Sequence, residues 1–155
     1  MKNILIPTSL EADTVTAVQS AIKQAHGKNC AIILMLAKEA DDAYSASALL
    51  RKTNAGLTDA QYEILQKCSL LTKVTDNCHL ELHNQVGLSA PLVKNLITGM
   101  GIGLIVLSAS YKAEQGKLHQ YCCQLLLNSK SPILHLCKNA PEPDFTKALY
   151  LEDEK

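Results

Sequence analysis

The feature that most constrains the fold is a regular alternation between short apolar runs and longer segments with helical periodicity. The five apolar runs lie at residues 3–8, 31–36, 78–83, 104–107 and 132–136. Four of them are almost continuous in isoleucine, leucine and valine, which is typical of strands buried on both faces of a parallel sheet. The alternation therefore predicts a doubly wound α/β domain, with a mostly parallel five-stranded sheet and helices on both faces.

The third run differs from the others because its apolar residues alternate with polar ones. Leu80 and Leu82 belong to one face, whereas His79, Glu81 and His83 belong to the other. This pattern predicts a half-exposed strand at an edge of the sheet. Residues four apart on a strand are separated by roughly 13 Å, whereas zinc–ligand bonds are about 2 Å long. The two histidines are therefore not predicted to share a metal ion.

Four helices are predicted between the runs, at about residues 13–26, 58–73, 89–99 and 118–128. Gly27 is expected to close the first helix. Thr58 followed by Gln61 has the spacing of a capping box at the start of the second. Ser89 and Pro91 are typical of a helix start, and they predict where the third begins.

Length and composition indicate one soluble domain of 155 residues, 47% of them hydrophobic. Lysine and arginine together number 15, as do aspartate and glutamate, so bulk charge favours neither nucleic acid nor a membrane as partner. No secretory signal is recognised, and no run approaches the roughly 18 apolar residues of a membrane span. We expect a cytoplasmic protein with one domain at 1–138, a polar insertion at 38–56, and a tail at 139–155.

No arrangement of residues predicts catalysis or metal binding. His119 and His135 have no paired aspartate, serine or cysteine in a recognisable pattern, and no G-x-S-x-G elbow is present. None of the six cysteines forms a C-x-x-C pair, so they are expected to be small apolar core residues. We predict no catalytic residue and no metal ligand.

A ligand crevice is expected beyond the carboxyl ends of the strands, where the strand order reverses. The candidate binding residues placed there are Thr8, Ser9, Leu36, Ser108, Ser110 and Tyr111. A phosphate loop needs glycines so that successive backbone N–H groups converge on the anion. The segment after the fourth run, SASYKAEQG, contains only Gly116. Its hydroxyls and lysines could still contact an anion, or they could cap the next helix in a solvated loop.

Four segments, taken in order, resemble the universal stress protein family over about residues 2–138. They are KNILIPTS, NQVGLSAPLVKNLI, GLIVLSAS and SKSPILHLC, with Gly87, Pro91 and Pro132 at positions where the family has glycine, proline and proline. The resemblance implies a sheet of strand order 3-2-1-4-5 and a role in the stress response.

The same segments depart from the nucleotide-binding members of that family, which have G-x2-G-x9-G-[ST] after the fourth strand. Ser108 stands at the first glycine and Tyr111 at the second, while His119 and Gln120 stand near the last pair. The family's acidic residue after the first strand is replaced by Ser9. A bulky side chain at a close-approach glycine would keep the backbone away from the phosphates. The resemblance therefore implies the branch that binds no ATP, and no cofactor is expected.

The resemblance also implies a homodimer formed through the last strand. The residues of that interface would be Pro132, Ile133, Leu134, His135 and Leu136. Alternatively, residues 144–151 of the tail cover this edge within one chain.

We expect a non-enzymatic regulatory module with an unidentified protein partner. One alternative is a sensor of a small molecule or an adenine nucleotide. Another is a nucleotide-α-hydrolase type of enzyme, which would need a phosphate loop where PTSLEAD has no glycine.

Overall fold

A computed structural model describes residues 3–38, 57–113 and 116–136. Its elements are β1 (Asn3–Pro7), α1 (Thr14–Ala25), β2 (Cys30–Lys38), α2 (Asp59–Lys73), β3 (Cys78–Val86), α3 (Ala90–Gly99), β4 (Ile102–Leu107), α4 (Ala109–Ala113), α5 (Lys117–Leu127) and β5 (Ile133–His135). The strands pair in the order β3-β2-β1-β4-β5, and each pairing is parallel. The predicted fold class and strand order are confirmed. The predicted insertion, apart from Lys38 at its start, and the predicted tail lie outside the described residues.

The sheet separates two hydrophobic clusters, one on each face. In β1, Ile4 and Ile6 pack with residues of α1 and α2, whereas Leu5 packs with residues of α3 and α5. All three side chains are fully buried or nearly so. A central strand therefore needs apolar residues at every position, which explains why the runs of β1, β2 and β4 are continuous.

β3 lies at one edge of the sheet, as its alternating pattern predicts. Leu80 and Leu82 pack against the cluster beneath α1 and α2. On the other face, His79 and Glu81 are exposed, and His79 Nε2 lies 3.3 Å from Glu81 Oε2. Within the described residues, no three His, Cys, Asp or Glu side chains are grouped closely enough to hold a metal ion.

The helix starts follow their capping residues. Thr58 Oγ1 accepts a hydrogen bond from Gln61 N at 3.1 Å, and Gln61 Oε1 accepts one from Thr58 N at 3.0 Å. This confirms the capping box of α2. The end of α1 differs from the prediction by one residue, because His26 takes the left-handed conformation at the helix end (φ 52°) and Gly27 follows it (φ 76°). None of the helices in the described ranges has the length and apolar character needed to cross a bilayer.

Three cysteines, Cys30, Cys68 and Cys122, are buried in the two clusters. The pKa of each of these thiols is raised to about 11, and burial is the largest cause of the increase. A thiol with so high a pKa stays protonated near neutral pH and is a poor nucleophile. These residues act as apolar core side chains, as the sequence predicts.

Candidate functional site

The turn after β1 uses its own hydroxyls to hold itself in place. Thr8 is 2% exposed, and its Oγ1 accepts a hydrogen bond from Leu10 N at 2.8 Å. The same oxygen lies 2.7 Å from Thr14 Oγ1 at the start of α1. Leu10 is buried with a φ of 58°, a left-handed conformation that costs a residue with a Cβ about 1 kcal/mol. The Thr8 hydroxyl is therefore engaged in the turn.

Ser9 connects the β1–α1 turn to two helices that are distant in sequence. Its carbonyl oxygen accepts a hydrogen bond from Gln61 Nε2 in α2 at 3.2 Å. Its Oγ lies 2.7 Å from His119 Nε2 in α5, at a separation of 110 residues. The prediction that His119 has no serine partner is therefore wrong. The pairing is a tertiary contact with no local sequence pattern.

Asp13 joins the start of α1 to the segment that follows β4. Its Oδ2 accepts a hydrogen bond from Ser110 N at 2.9 Å, whereas its Oδ1 is buried and has no hydrogen-bond partner among the described residues. Sequence reasoning placed Asp13 only as the residue at the start of a helix. A lone aspartate ahead of a helix gives no signal of what its carboxylate contacts across the sheet.

The segment after β4 forms the short helix α4, which the sequence analysis did not predict. Ser108 caps it, because its Oγ accepts a hydrogen bond from Tyr111 N at 3.2 Å and its carbonyl accepts one from Lys112 N at 3.2 Å. With Ser110 N bound to Asp13, three successive backbone N–H groups are engaged. Ser108 therefore caps α4, whereas the alternative had these hydroxyls cap the next predicted helix, α5, whose N-cap Gly116 supplies no side-chain cap. These three N–H groups donate to three different acceptor atoms of the protein, whereas in a phosphate loop they donate to one anion.

Two predicted crevice residues direct their side chains into the core. Tyr111 is 1% exposed and lies in the cluster beneath α3 and α5, with its ring 5.1 Å from that of His119 in an edge-on contact. Leu36 is buried in the opposite cluster. The expectation that the Tyr111 ring stands between the backbone and a phosphate is corrected here, since the helical turn of α4 directs the ring inward.

Comparison with known proteins adds an independent observation. No protein-family model matches the chain, and no curated protein sequence does. A solved universal stress protein in complex with cAMP is 17% identical, with a TM-score of 0.59 over 89% of this chain and 98% of that one. This chain has the universal stress protein fold.

Two further solved structures share the universal stress protein fold with this chain. The universal stress protein UspA from Lactobacillus plantarum is 15% identical, with a TM-score of 0.58 over 88% of this chain and 97% of that one. The universal stress protein from Archaeoglobus fulgidus is 12% identical, with a TM-score of 0.57 over 87% of this chain and 98% of that one. Each of the three is covered almost end to end, so the shared architecture is the complete universal stress protein fold.

Within this fold, the carboxyl ends of β1 and β4 bring together four of the predicted site residues, Thr8, Ser9, Ser108 and Ser110. They are joined there by two residues that were not predicted as site residues, Asp13 and His119. The position of the crevice follows from strand order, which the sequence predicts. Its hydrogen bonds depend on side chains from four separate segments.

Proposed function

We propose that this chain is a universal stress protein-like regulatory module that binds no ATP and no other cofactor, and that acts without catalytic turnover. The fold supports a role in the stress response. The absence of nucleotide binding is supported by the way Asp13, Ser108 and Ser110 use the backbone donors after β4. The partner of such a module would be another protein, whose identity stays open.

The single observation on which this proposal depends is the position of the Asp13 carboxylate. It accepts the hydrogen bond of Ser110 N, a donor that a bound phosphate would otherwise need. Two like charges about 4 Å apart repel by about 4 kcal/mol at an effective dielectric constant of 20. A phosphate near Ser110 would therefore meet both an occupied donor and a charge of its own sign.

Equilibrium dialysis of the full chain against labelled ATP with Mg²⁺ tests this proposal. We expect no binding at micromolar nucleotide. The variant Asp13→Asn keeps an oxygen acceptor for Ser110 N but removes the charge, and it should bind more ATP than the wild type at millimolar nucleotide. Asp59→Asn, at the exposed start of α2, is the matched control and should behave as the wild type does. Micromolar affinity in the wild type would contradict the proposal.

A second candidate function is a sensor of an adenine nucleotide other than ATP. One structure of the same fold is a complex with cAMP. In this chain, the buried Asp13 Oδ1 is an acceptor that an adenine amino group could satisfy. The same dialysis with labelled cAMP separates the two functions. Binding of cAMP that is lost in Asp13→Asn would favour the sensor over the module without a ligand.

We further propose that the module is a homodimer formed through β5. This strand is the last in the sheet order and pairs with β4 on one side. Pro132 O and Leu136 N both hydrogen bond to β4. In a parallel strand the alternate residues, Ile133 and His135, direct their N–H and C=O groups to the other side. A second copy could pair with those groups and close the edge.

A further inference from the structure

Ser9 and His119 form a pair that the proposed function does not use. Ser9 Oγ lies 2.7 Å from His119 Nε2, within the range expected between a serine nucleophile and its imidazole base. We propose that Ser9 is an acceptor site for a single acyl group, with His119 as its general base. The substrate class is a small acyl donor with a good leaving group, such as an activated ester. This inference goes beyond the proposed function and does not depend on whether the chain binds a nucleotide.

The backbone of Ser9 is fixed from both sides. Before it, Thr8 Oγ1 accepts the hydrogen bond of Leu10 N and holds the turn. Its own carbonyl is held by Gln61 Nε2 at 3.2 Å. Ser9 thus lies in a backbone connection between β1 and α1 that is fixed by hydrogen bonds. Its side chain is only partly buried, so a small reagent can reach it.

The ring of His119 contacts Tyr111 on one side and lies close to Gly116 on the other. The contact with the buried Tyr111 is edge-on. On the other side its Nδ1 faces Gly116, where an added Cβ would lie only 3.2 Å from that nitrogen. The pair acts as nucleophile and base in the tautomer that has its proton on Nδ1, which leaves Nε2 free to accept the Ser9 proton.

The start of α5 contributes backbone N–H groups, which favour the negative charge that acyl transfer creates. His119 is the third residue of α5, a helix of 11 residues with no acidic residue in its first turn. Gly116 precedes the helix and supplies no side-chain cap. The first backbone N–H groups of a helix have no acceptor within it, and they stabilise a nearby oxyanion.

The proposed step balances as an ordinary acyl transfer. Ser9 Oγ attacks the carbonyl carbon of the ester, and its proton moves to His119 Nε2. The tetrahedral intermediate then collapses, which breaks the bond between that carbon and the leaving oxygen. The proton on Nε2 passes to the leaving alkoxide. The products are acyl-Ser9 and an alcohol, and no oxidant or reductant is needed.

The test uses the full chain and p-nitrophenyl acetate, with the modified residues located by mass spectrometry of peptides. We expect Ser9 to be acetylated and Ser110, in the same crevice, to stay unmodified. His119→Gln keeps a hydrogen-bonding group but removes the base, and it should slow acetylation of Ser9 by about 100-fold. Ser69→Ala, at a partly exposed serine of α2 outside the predicted site, is the matched control and should leave the Ser9 rate unchanged. Equal labelling of Ser9 and Ser110 would overturn the proposal.

Three further variants distinguish a general base from a residue that only maintains the structure. In His119→Ala, added imidazole should restore acetylation at Ser9, whereas Ser9→Ala/His119→Ala should gain none at residue 9. Gly116→Ala keeps both partners but presses a methyl group on the His119 ring, and it should also slow the reaction. Thermal unfolding of each variant shows whether it is folded. Failure of imidazole to rescue a folded His119→Ala variant would contradict the role of His119.

Discussion

At the scale of single residues, the direction of the Tyr111 side chain changes the reason why weak phosphate binding is expected. The sequence places Tyr111 where a glycine would approach a phosphate, and this suggests that its ring blocks the ligand. In the fold the ring is buried beside Cys122, and the donors that a phosphate would need are used by Asp13 and Ser108. Weak phosphate binding is therefore expected because of engaged N–H groups and a nearby carboxylate, with Tyr111 serving as a core residue.

Replacement of Tyr111 tests its role as a core residue. Tyr111→Ala removes a fully buried ring and should lower the free energy of unfolding by about 3 to 5 kcal/mol, the range found for large buried aromatic residues. Tyr121→Ala is the matched control, since Tyr121 is 44% exposed, and it should cost about 0.5 kcal/mol or less. Urea denaturation monitored by circular dichroism measures both. Equal small losses would contradict a core role for Tyr111.

At the scale of elements, α2 is fixed by a local signal and then used for a distant contact. Thr58 and Gln61 form the capping box that their spacing predicts. The amide nitrogen of the same side chain, Gln61 Nε2, donates a hydrogen bond to the carbonyl oxygen of Ser9. The helix start therefore also positions the turn after β1, which could not be foreseen from the capping pattern.

Removal of the cap should destabilise α2 by a predictable amount. Thr58→Ala deletes the oxygen that accepts from Gln61 N and should lower the free energy of unfolding by about 1 kcal/mol. Thr58→Ser keeps that oxygen and should remain close to the wild type. Urea unfolding of the three proteins under identical conditions gives the comparison. An equal loss in Thr58→Ser would mean that the methyl group, and not the cap, is responsible.

At the scale of the whole molecule, the side of β5 that faces away from β4, which has no neighbouring strand among the described residues, determines how the chain could assemble. His135→Pro removes an N–H group that faces away from β4, whereas His135→Ala removes only the side chain. If two copies pair through β5, His135→Pro should shift the chain toward the monomer and His135→Ala should not. Analytical ultracentrifugation of both variants and the wild type measures this. A dimer that persists in a folded His135→Pro variant would argue against pairing through this edge.

His135 also predicts a dependence of stability on pH. Burial, and then the nearby positive charge of Lys112, lowers the pKa of His135 below its usual 6.5. The unfolded chain therefore binds a proton at a higher pH than the folded chain does. As pH falls below 6.5, the free energy of unfolding should decrease. His135→Ala should show a smaller decrease in urea unfolding experiments across this range, and identical slopes would contradict the assignment.

The sequence by itself predicted the five strands and the four longer helices of the described residues, together with their layers, but it did not predict α4. Continuous apolar runs, one alternating run and the caps at Thr58 and Ser89 are local patterns, so they can be recognised without any knowledge of the fold. The strand order followed from the family resemblance. These features placed the crevice at the carboxyl ends of β1 and β4.

Only the tertiary structure decided what fills that crevice. The contact of Ser9 with His119 joins residues 110 apart in sequence, and that of Asp13 with Ser110 joins residues 97 apart. Such contacts depend on how two helices and two loops pack across a sheet, and no periodicity or spacing within one segment encodes them. The inward direction of Tyr111 has the same origin, because it follows from the helical turn that Ser108 caps.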